Sequence, residues 1–177
     1  ILKSFRDWAY NRGETIRATT SFLMADSTTP DGDYIKPQTN PTNTDCWNGK
    51  AYTPLNQLTP GRTKYGTNNN VRIFRYADVL LMNAEAKIKN GKSGDAPFNE
   101  VRRRAQMPEL TNVTFEQVID ERRMELVCEW GERYNDLVRT GLAKTELKGW
   151  SEDKALLPLP FNQYTQIPDL LKEPKDE

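Results

Sequence analysis

The stretch Asp120-Glu121-Arg122-Arg123-Met124-Glu125-Leu126-Val127-Cys128-Glu129-Trp130-Gly131-Glu132-Arg133-Tyr134-Asn135-Asp136-Leu137-Val138-Arg139 is dense in charge, yet its apolar residues keep the spacing of a helix face. A helix of this composition sets some of its charges on or beside the packed face. Charges taken out of water have to be paired, so the stretch predicts an internal ion network. Its members are Glu121, Arg122, Glu125, Glu129, Arg133, Asp136 and Arg139.

Glu121, Glu125 and Glu129 recur at every fourth position, as a pair of carboxylates for acid–base work on a glycosidic bond would require. Arg122, Arg123 and Arg133 beside them argue the other way. An opposite charge favours the ionised carboxylate, whereas a proton donor needs the reverse. The three carboxylates therefore read as ion-pair structure and no catalytic residue is assigned, with a carboxylate-pair glycosidase as the alternative. It has no His, which removes Ser-His-Asp and Cys-His nucleophiles and the commonest metal ligand. Phosphate-cradling glycine loops and CxxC pairs are missing as well, so neither a cofactor nor a metal is expected.

Upstream, Ile73, Ala77, Leu80, Leu81, Ala84 and Ile88 share one helix face over residues 71–90, and Asn90-Gly91 ends that helix. A second helix over 96–105 has Asp95 as candidate N-cap, Pro97 in its first turn and an apolar side of Phe98, Val101 and Ala105. Thr114-Phe115-Glu116-Gln117 is a capping box that starts a third helix. That helix runs to residue 140, with Gly131 either a break or a close approach and Gly141 at its end. The fold class is mainly α, with packed helical hairpins and long irregular loops. Residues 1–70 read as a loop-rich segment, 71–141 as a helical core and 142–177 as an extended C-terminal segment. In the first segment a short helix near residues 2–10 and a strand within Thr15–Met24 are expected. Leu156-Leu157-Pro158-Leu159-Pro160 reads as extended.

The 25 Lys+Arg balance 25 Asp+Glu among 177 residues, which gives no surplus for a polyanion. The basic run Arg102-Arg103-Arg104 lies among acidic neighbours, so nucleic acid is not an expected partner. No apolar run approaches the ~18–20 residues of a membrane span. The chain begins in mid-pattern with Ile1-Leu2-Lys3 and reads as a fragment. Cys46 and Cys128 are too few for a disulfide scaffold, and Cys128, inside the helical pattern, reads as a small core residue.

Aromatic residues stand among Asn, Thr, Asp and Gln before residue 70. Such rings offer flat apolar faces with polar neighbours, which suits the C–H faces and hydroxyl rims of sugars. Trp47, Tyr52, Tyr34 and Trp8 are the candidate ligand contacts, with Tyr65 as a further ring. The alternative is that these rings pin down the loops. Asp26, Asp31 and Asp33 near a Gly turn form an acidic loop without the spacing of an EF-hand.

Arg75-Tyr76-Ala77-Asp78-Val79-Leu80-Leu81-Met82-Asn83-Ala84-Glu85-Ala86 closely resembles the "RYADVLLMYAEA" helix of the SusD/RagB family. Val101-Arg102-Arg103-Arg104-Ala105 is similar to that family's "hNxVRxRAG" helix, with Gln106 where Gly is usual. Residues 121–141 resemble its "ERRxELxFEGxRxxDLxRxG" signature, with Trp130 as a departure, and Leu157-Pro158-Leu159-Pro160 resembles its "hPIP" strand. Lys64-Tyr65 and Arg17-Ala18-Thr19 are weaker echoes, and the ending around Leu170-Leu171-Lys172-Glu173-Pro174 departs from the family's. The resemblance implies a non-enzymatic outer-membrane lipoprotein of Bacteroidota, with TPR-like helical pairs, of which residues 1–177 are the C-terminal part. It implies glycan binding at the cell surface and delivery to a SusC-like TonB-dependent transporter. The membrane contact would be an N-terminal lipid anchor outside this fragment. The matched motifs are structural in the family and carry no ligand residues over. A protein-interaction scaffold, or a binder of a non-sugar nutrient such as a peptide with its site elsewhere, is the alternative.

Overall fold

A computed structural model of the chain describes residues 1–37, 46–61, 72–130, 132–156 and 161–166. It is mainly helical. The chain opens with helices α1 (Lys3–Asn11) and α2 (Ile16–Ser21). Short strands β1 (Phe22–Met24), β2 (Ser27–Thr28), β3 (Tyr34–Ile35) and β4 (Cys46–Asn48) follow, with β1 antiparallel to β4 and β2 antiparallel to β3. Then come α3 (Tyr76–Lys89), α4 (Asp95–Arg104), α5 (Phe115–Glu125), α6 (Glu132–Arg139), α7 (Ala143–Glu146) and α8 (Phe161–Gln166). Residues Ile1–Asn135 form one compact unit and Asp136–Glu177 a second.

Helix α3 packs on α4 and α5 through the face carrying Ala77, Leu80, Leu81 and Ala84, all buried. Ile73 does not join that face. The helix begins three residues later, and Ile73 is 68% exposed. At the other end Gly91 takes φ +68, and the amides of Gly91 and Lys92 donate to the carbonyls of Ile88 and Lys87. That closes the last turn with its carbonyls satisfied. Gly94 lets the following loop cross α3 closely, because a Cβ there would lie 2.8 Å from the Ala84 carbonyl oxygen.

Asp95 is not the N-cap of α4, which falls on Gly94. Its carboxylate instead accepts the amides of Asn112 at 3.0 Å and Val113 at 2.9 Å. These backbone hydrogen bonds hold its pKa below the usual carboxylate range and tie the start of α4 to the loop before α5. In that loop's next residues, Thr114 Oγ1 accepts the Gln117 amide at 3.3 Å and Gln117 Oε1 accepts the Thr114 amide at 2.9 Å, so the capping box is formed.

The third helix is two helices rather than one. Helix α5 stops at Glu125, whose carbonyl accepts Lys50 Nζ at 2.6 Å and Arg75 Nη2 at 2.8 Å. Cations on terminal carbonyls favour a helix end. The chain then turns through Cys128 at φ +60, which places that cysteine on the surface and not in the core. Gly131, the other candidate for the break, lies outside the described residues. Within Thr15–Met24 only Phe22–Met24 is strand. The first part is helical, and the hydroxyls of Thr19 and Thr20 donate to the carbonyls of Thr15 and Ile16.

Two apolar clusters result. One gathers Leu80, Leu81, Ala84, Phe98, Val101 and Val118 between α3, α4 and α5. The other gathers Ala9, Ala18, Phe22, Cys46 and Met124, with Phe5 and Trp8 packed against it. Helix α5 contributes to both, through Val118 on one side and Met124 on the other. In the second unit Leu137 and Ala143 are buried, and Asp136 accepts Arg139 Nε at 2.9 Å. The extended segment at 157–160 and the polar tail at 172–177 lie outside the described residues.

Candidate functional site

Glu121, on α5, has a fully buried side chain that takes three guanidinium groups. Its oxygens accept Arg12 Nη2 at 2.6 Å, Arg17 Nη1 at 2.6 Å and Arg102 Nη1 at 2.8 Å. One turn later Glu125 accepts Arg17 Nη1 at 3.1 Å and Arg75 Nη1 at 2.9 Å, and it also meets Arg104. Beyond the helix end Glu129 accepts Lys50 Nζ at 2.7 Å and Arg75 Nε at 2.8 Å. Burial raises the pKa of Glu121, but Arg17, Arg12 and Arg102 together hold it below the usual carboxylate range. Glu129 is lowered likewise: Arg75 and Lys50 outweigh its burial. Arg17 is the counterpart. Burial opposes its charge, yet Glu121 and Glu14 raise its pKa above the usual guanidinium value. Carboxylates held ionised in this way accept charge-assisted hydrogen bonds and do not donate protons.

The remaining members of the charged stretch go elsewhere. Arg122 donates to Asp78 of α3 at 2.6 Å. Asp136 and Arg139 form a local pair within the second unit, and Arg133 lies half-buried on α6. Arg123 stacks over Trp8, with 4.4 Å to the ring centroid. The cations that neutralise α5 are Arg12, Arg17, Lys50, Arg75, Arg102 and Arg104, none of which the charged stretch itself contains. Arg102 had a readable signal, because it stands four residues after Phe98 on the buried face of α4. Each arginine of the basic run 102–104 meets a carboxylate: Arg102 meets Glu121, Arg103 meets Glu109, and Arg104 shares Glu125 with Arg17 and Arg75.

Three of the four candidate ligand aromatics belong to one loop system. Strand alternation on β4 turns Cys46 inward and leaves Trp47 44% exposed, with Trp47 Nε1 donating to the Lys36 carbonyl at 3.1 Å. Tyr34 on β3 is 53% exposed, and its hydroxyl donates to Asp26 Oδ1 at 2.6 Å. Tyr52 is half-buried and donates to Asp33 Oδ2, which also accepts the Leu55 amide at 2.8 Å. Each ring is thus anchored by its polar end. Trp8 is placed differently: it stacks on Phe5 at 5.4 Å between centroids and lies under the Arg12 and Arg123 guanidinium groups, against the second core. In the acidic loop, Asp26 and Asp33 serve the tyrosine hydroxyls, and no three-ligand metal cluster occurs among the described residues. Tyr65 lies outside the described residues.

The family model described as "SusD family" matches residues 1–169. SusD-like protein P38 of Formosa agariphila is 33% identical over 119 residues, covering 57% of this chain and 24% of its own length. Surface glycan-binding protein A from Bacteroides thetaiotaomicron has a similar structure, with a TM-score of 0.74 and 29% identity, over 93% of this chain and 39% of that one. A structure of surface glycan-binding protein A from the same organism in complex with laminarihexaose matches with a TM-score of 0.63 and 26% identity, over 90% of this chain and 38% of that one. The chain therefore spans well under half the length of these relatives. Members of the family are glycan-binding proteins and not enzymes. With helical architecture, motif order and family model in agreement, this chain belongs to the SusD family.

Proposed function

We propose that this chain is the C-terminal part of a cell-surface protein that binds glycan and passes it to a TonB-dependent outer-membrane transporter. The parent protein would sit on the outer membrane through a lipid anchor outside these residues. The observation that carries the reading is the pair Trp47 and Tyr34. Their rings are exposed while their polar ends are fixed by Lys36 and Asp26. A ring held by its edge presents a preset apolar face to a sugar at little entropic cost. The likeness to a protein solved with laminarihexaose supports the sugar class.

Affinity electrophoresis and calorimetry of the full-length protein across a glycan panel test this reading. Trp47→Ala is expected to weaken glycan binding by about 2 kcal/mol, or about thirtyfold. Affinity unchanged in Trp47→Ala and Tyr34→Ala would move the site out of this chain. Binding to peptides and to no glycan would end the sugar assignment.

A second reading, an interaction scaffold, is favoured by the outer face of α3. Tyr76, Val79 and Met82 lie three residues apart there and are 68%, 48% and 43% exposed, with Phe74 just before them at 75%. A contiguous apolar stripe of this kind marks a contact surface. Loss of transporter co-purification in Tyr76→Ser/Met82→Ser, with glycan affinity kept, would favour it.

A further inference from the structure

Where the end of α2, the 3-10 turn Gly49–Ala51 and the turn after α5 meet, they enclose a pocket of about 320 Å³. Its lining carries the cations Arg17, Lys50, Arg72, Arg75 and Arg104. Against them stand the carboxylates Glu125 and Glu129. Arg17 and Arg75 are engaged through every guanidinium nitrogen. The other cations are not. Among the described residues, Arg104 uses only Nη2, toward Glu125. Lys50 Nζ donates to the Glu125 carbonyl and to Glu129, which leaves its third proton without an acceptor among the described residues. Arg72 contributes its carbonyl to Trp130, and its guanidinium has no partner among the described residues. Lys50 and Arg104 are therefore only partly matched, and Arg72 adds a whole charge.

Ser21 is an independent sign. It lines the same pocket, is 0% exposed, and its Oγ has no hydrogen-bond partner among the described residues. A buried hydroxyl left in that state is costly, and where a fold keeps one beside a cavity a ligand group is the natural partner. The backbone around it is tightly set: a Cβ on Gly49 would lie 2.1 Å from the Thr20 carbonyl oxygen, so only glycine holds Lys50 against the end of α2.

Unfilled donors with a surplus of positive charge suit a group with several acceptor oxygens. At about 320 Å³ the pocket is far larger than a bare tetrahedral ion and matches the small end of ligand sites, room for a sugar ring. Tyr52 gives that space an aromatic wall and joins it to the loop system of Tyr34 and Trp47.

We propose that this pocket binds a compact oxyanion carried on a sugar ring, a uronate carboxylate or a sulfate ester, with Arg72, Arg104, Lys50 and Ser21 as its donors. The sugar carrier rests on the glycan reading above, whereas the oxyanion contact does not. A charged glycan would then be held at its anionic substituent here and along its sugar faces by the neighbouring rings.

Titration calorimetry of the full-length protein at low ionic strength tests the proposal with inorganic sulfate, a glucuronic acid hexasaccharide and neutral laminarihexaose. The charged hexasaccharide is expected to bind about tenfold more tightly than either other probe, and less tightly as salt is added. Arg72→Gln and Ser21→Ala are each expected to remove most of that preference. Arg72→Gln alters an exposed side chain and is expected to keep the melting temperature of the native protein. No binding of either anion, or a preference unchanged in both variants, overturns the site. Sulfate binding as tightly as the charged hexasaccharide overturns the sugar carrier and leaves the oxyanion contact standing. Failure of every glycan to bind, charged or neutral, overturns the glycan reading, and the sulfate arm still decides the oxyanion contact.

Discussion

Arg17 and Glu121, 104 residues apart in the chain, are joined by a 2.6 Å hydrogen bond between two buried side chains. The contact fastens α2 to α5, and Arg102 on the opposite side of the same carboxylate fastens α4. Charge thus stitches the two apolar clusters together along the helix they share.

Glu121→Ala is expected to cost about 3–5 kcal/mol, because it leaves Arg102 buried without a carboxylate and takes one of three from Arg17. Urea denaturation measures the loss. A value below about 1 kcal/mol would mean that the network behaves as a solvated surface pair.

Acid should weaken the fold through the same groups. Glu121 and Glu129 have pKa values below the usual carboxylate range in the folded state. A depressed folded pKa contributes stability above the unfolded value of about 4.3, and that contribution is lost as pH falls through the folded value. Melting temperature is therefore expected to be flat above about pH 5 and to fall steadily below about pH 4. Glu121→Gln should flatten the fall. Parallel profiles for the native protein and the variant would contradict the assignment.

Gln106 stands at φ +55, just past the end of α4, with its amide bonded to Arg103 and that of Met107 to Arg102. This is the left-handed helix-closing position where glycine is at ease. Gln106→Gly is expected to stabilise the protein by about 1 kcal/mol, readable as a higher melting temperature. A lower melting temperature would show that the Gln side chain makes up for the backbone.

Ser21→Ala is expected to stabilise the ligand-free protein by about 1 kcal/mol, since it removes a buried hydroxyl with no partner. With the charged hexasaccharide present the order should reverse, because the native serine would then have its acceptor. Thermal melts with and without that sugar check both halves.

The elements legible in the chain were those decided within a few residues. The Leu80, Leu81, Ala84 face of α3 and the Thr114–Gln117 box depend on neighbours one turn away, and both form. The end of α5 was not legible. Its charge and apolar spacing run on past Glu125, and the helix stops because Lys50 and Arg75 arrive from elsewhere to take its last carbonyl. Cys128 comes to the surface for the same reason. Among the candidate aromatics, side-chain type could not separate Trp47, turned outward by the pleat of β4, from Trp8, held under two guanidinium groups.

Sequence alone dictated the helical class, the capped start of α5 at Thr114 and the need for paired charge along that helix, because period, capping and desolvation act locally. The partners of that charge were decided by the tertiary structure alone. Arg12, Arg17, Lys50 and Arg75 reach α5 only through tertiary folding from far along the chain, and no spacing in the chain encodes that approach. The same folding leaves Ser21, Arg72 and Arg104 around one cavity with donors to spare. A surplus of that kind depends on which charges meet, and so it is a property of the packed molecule.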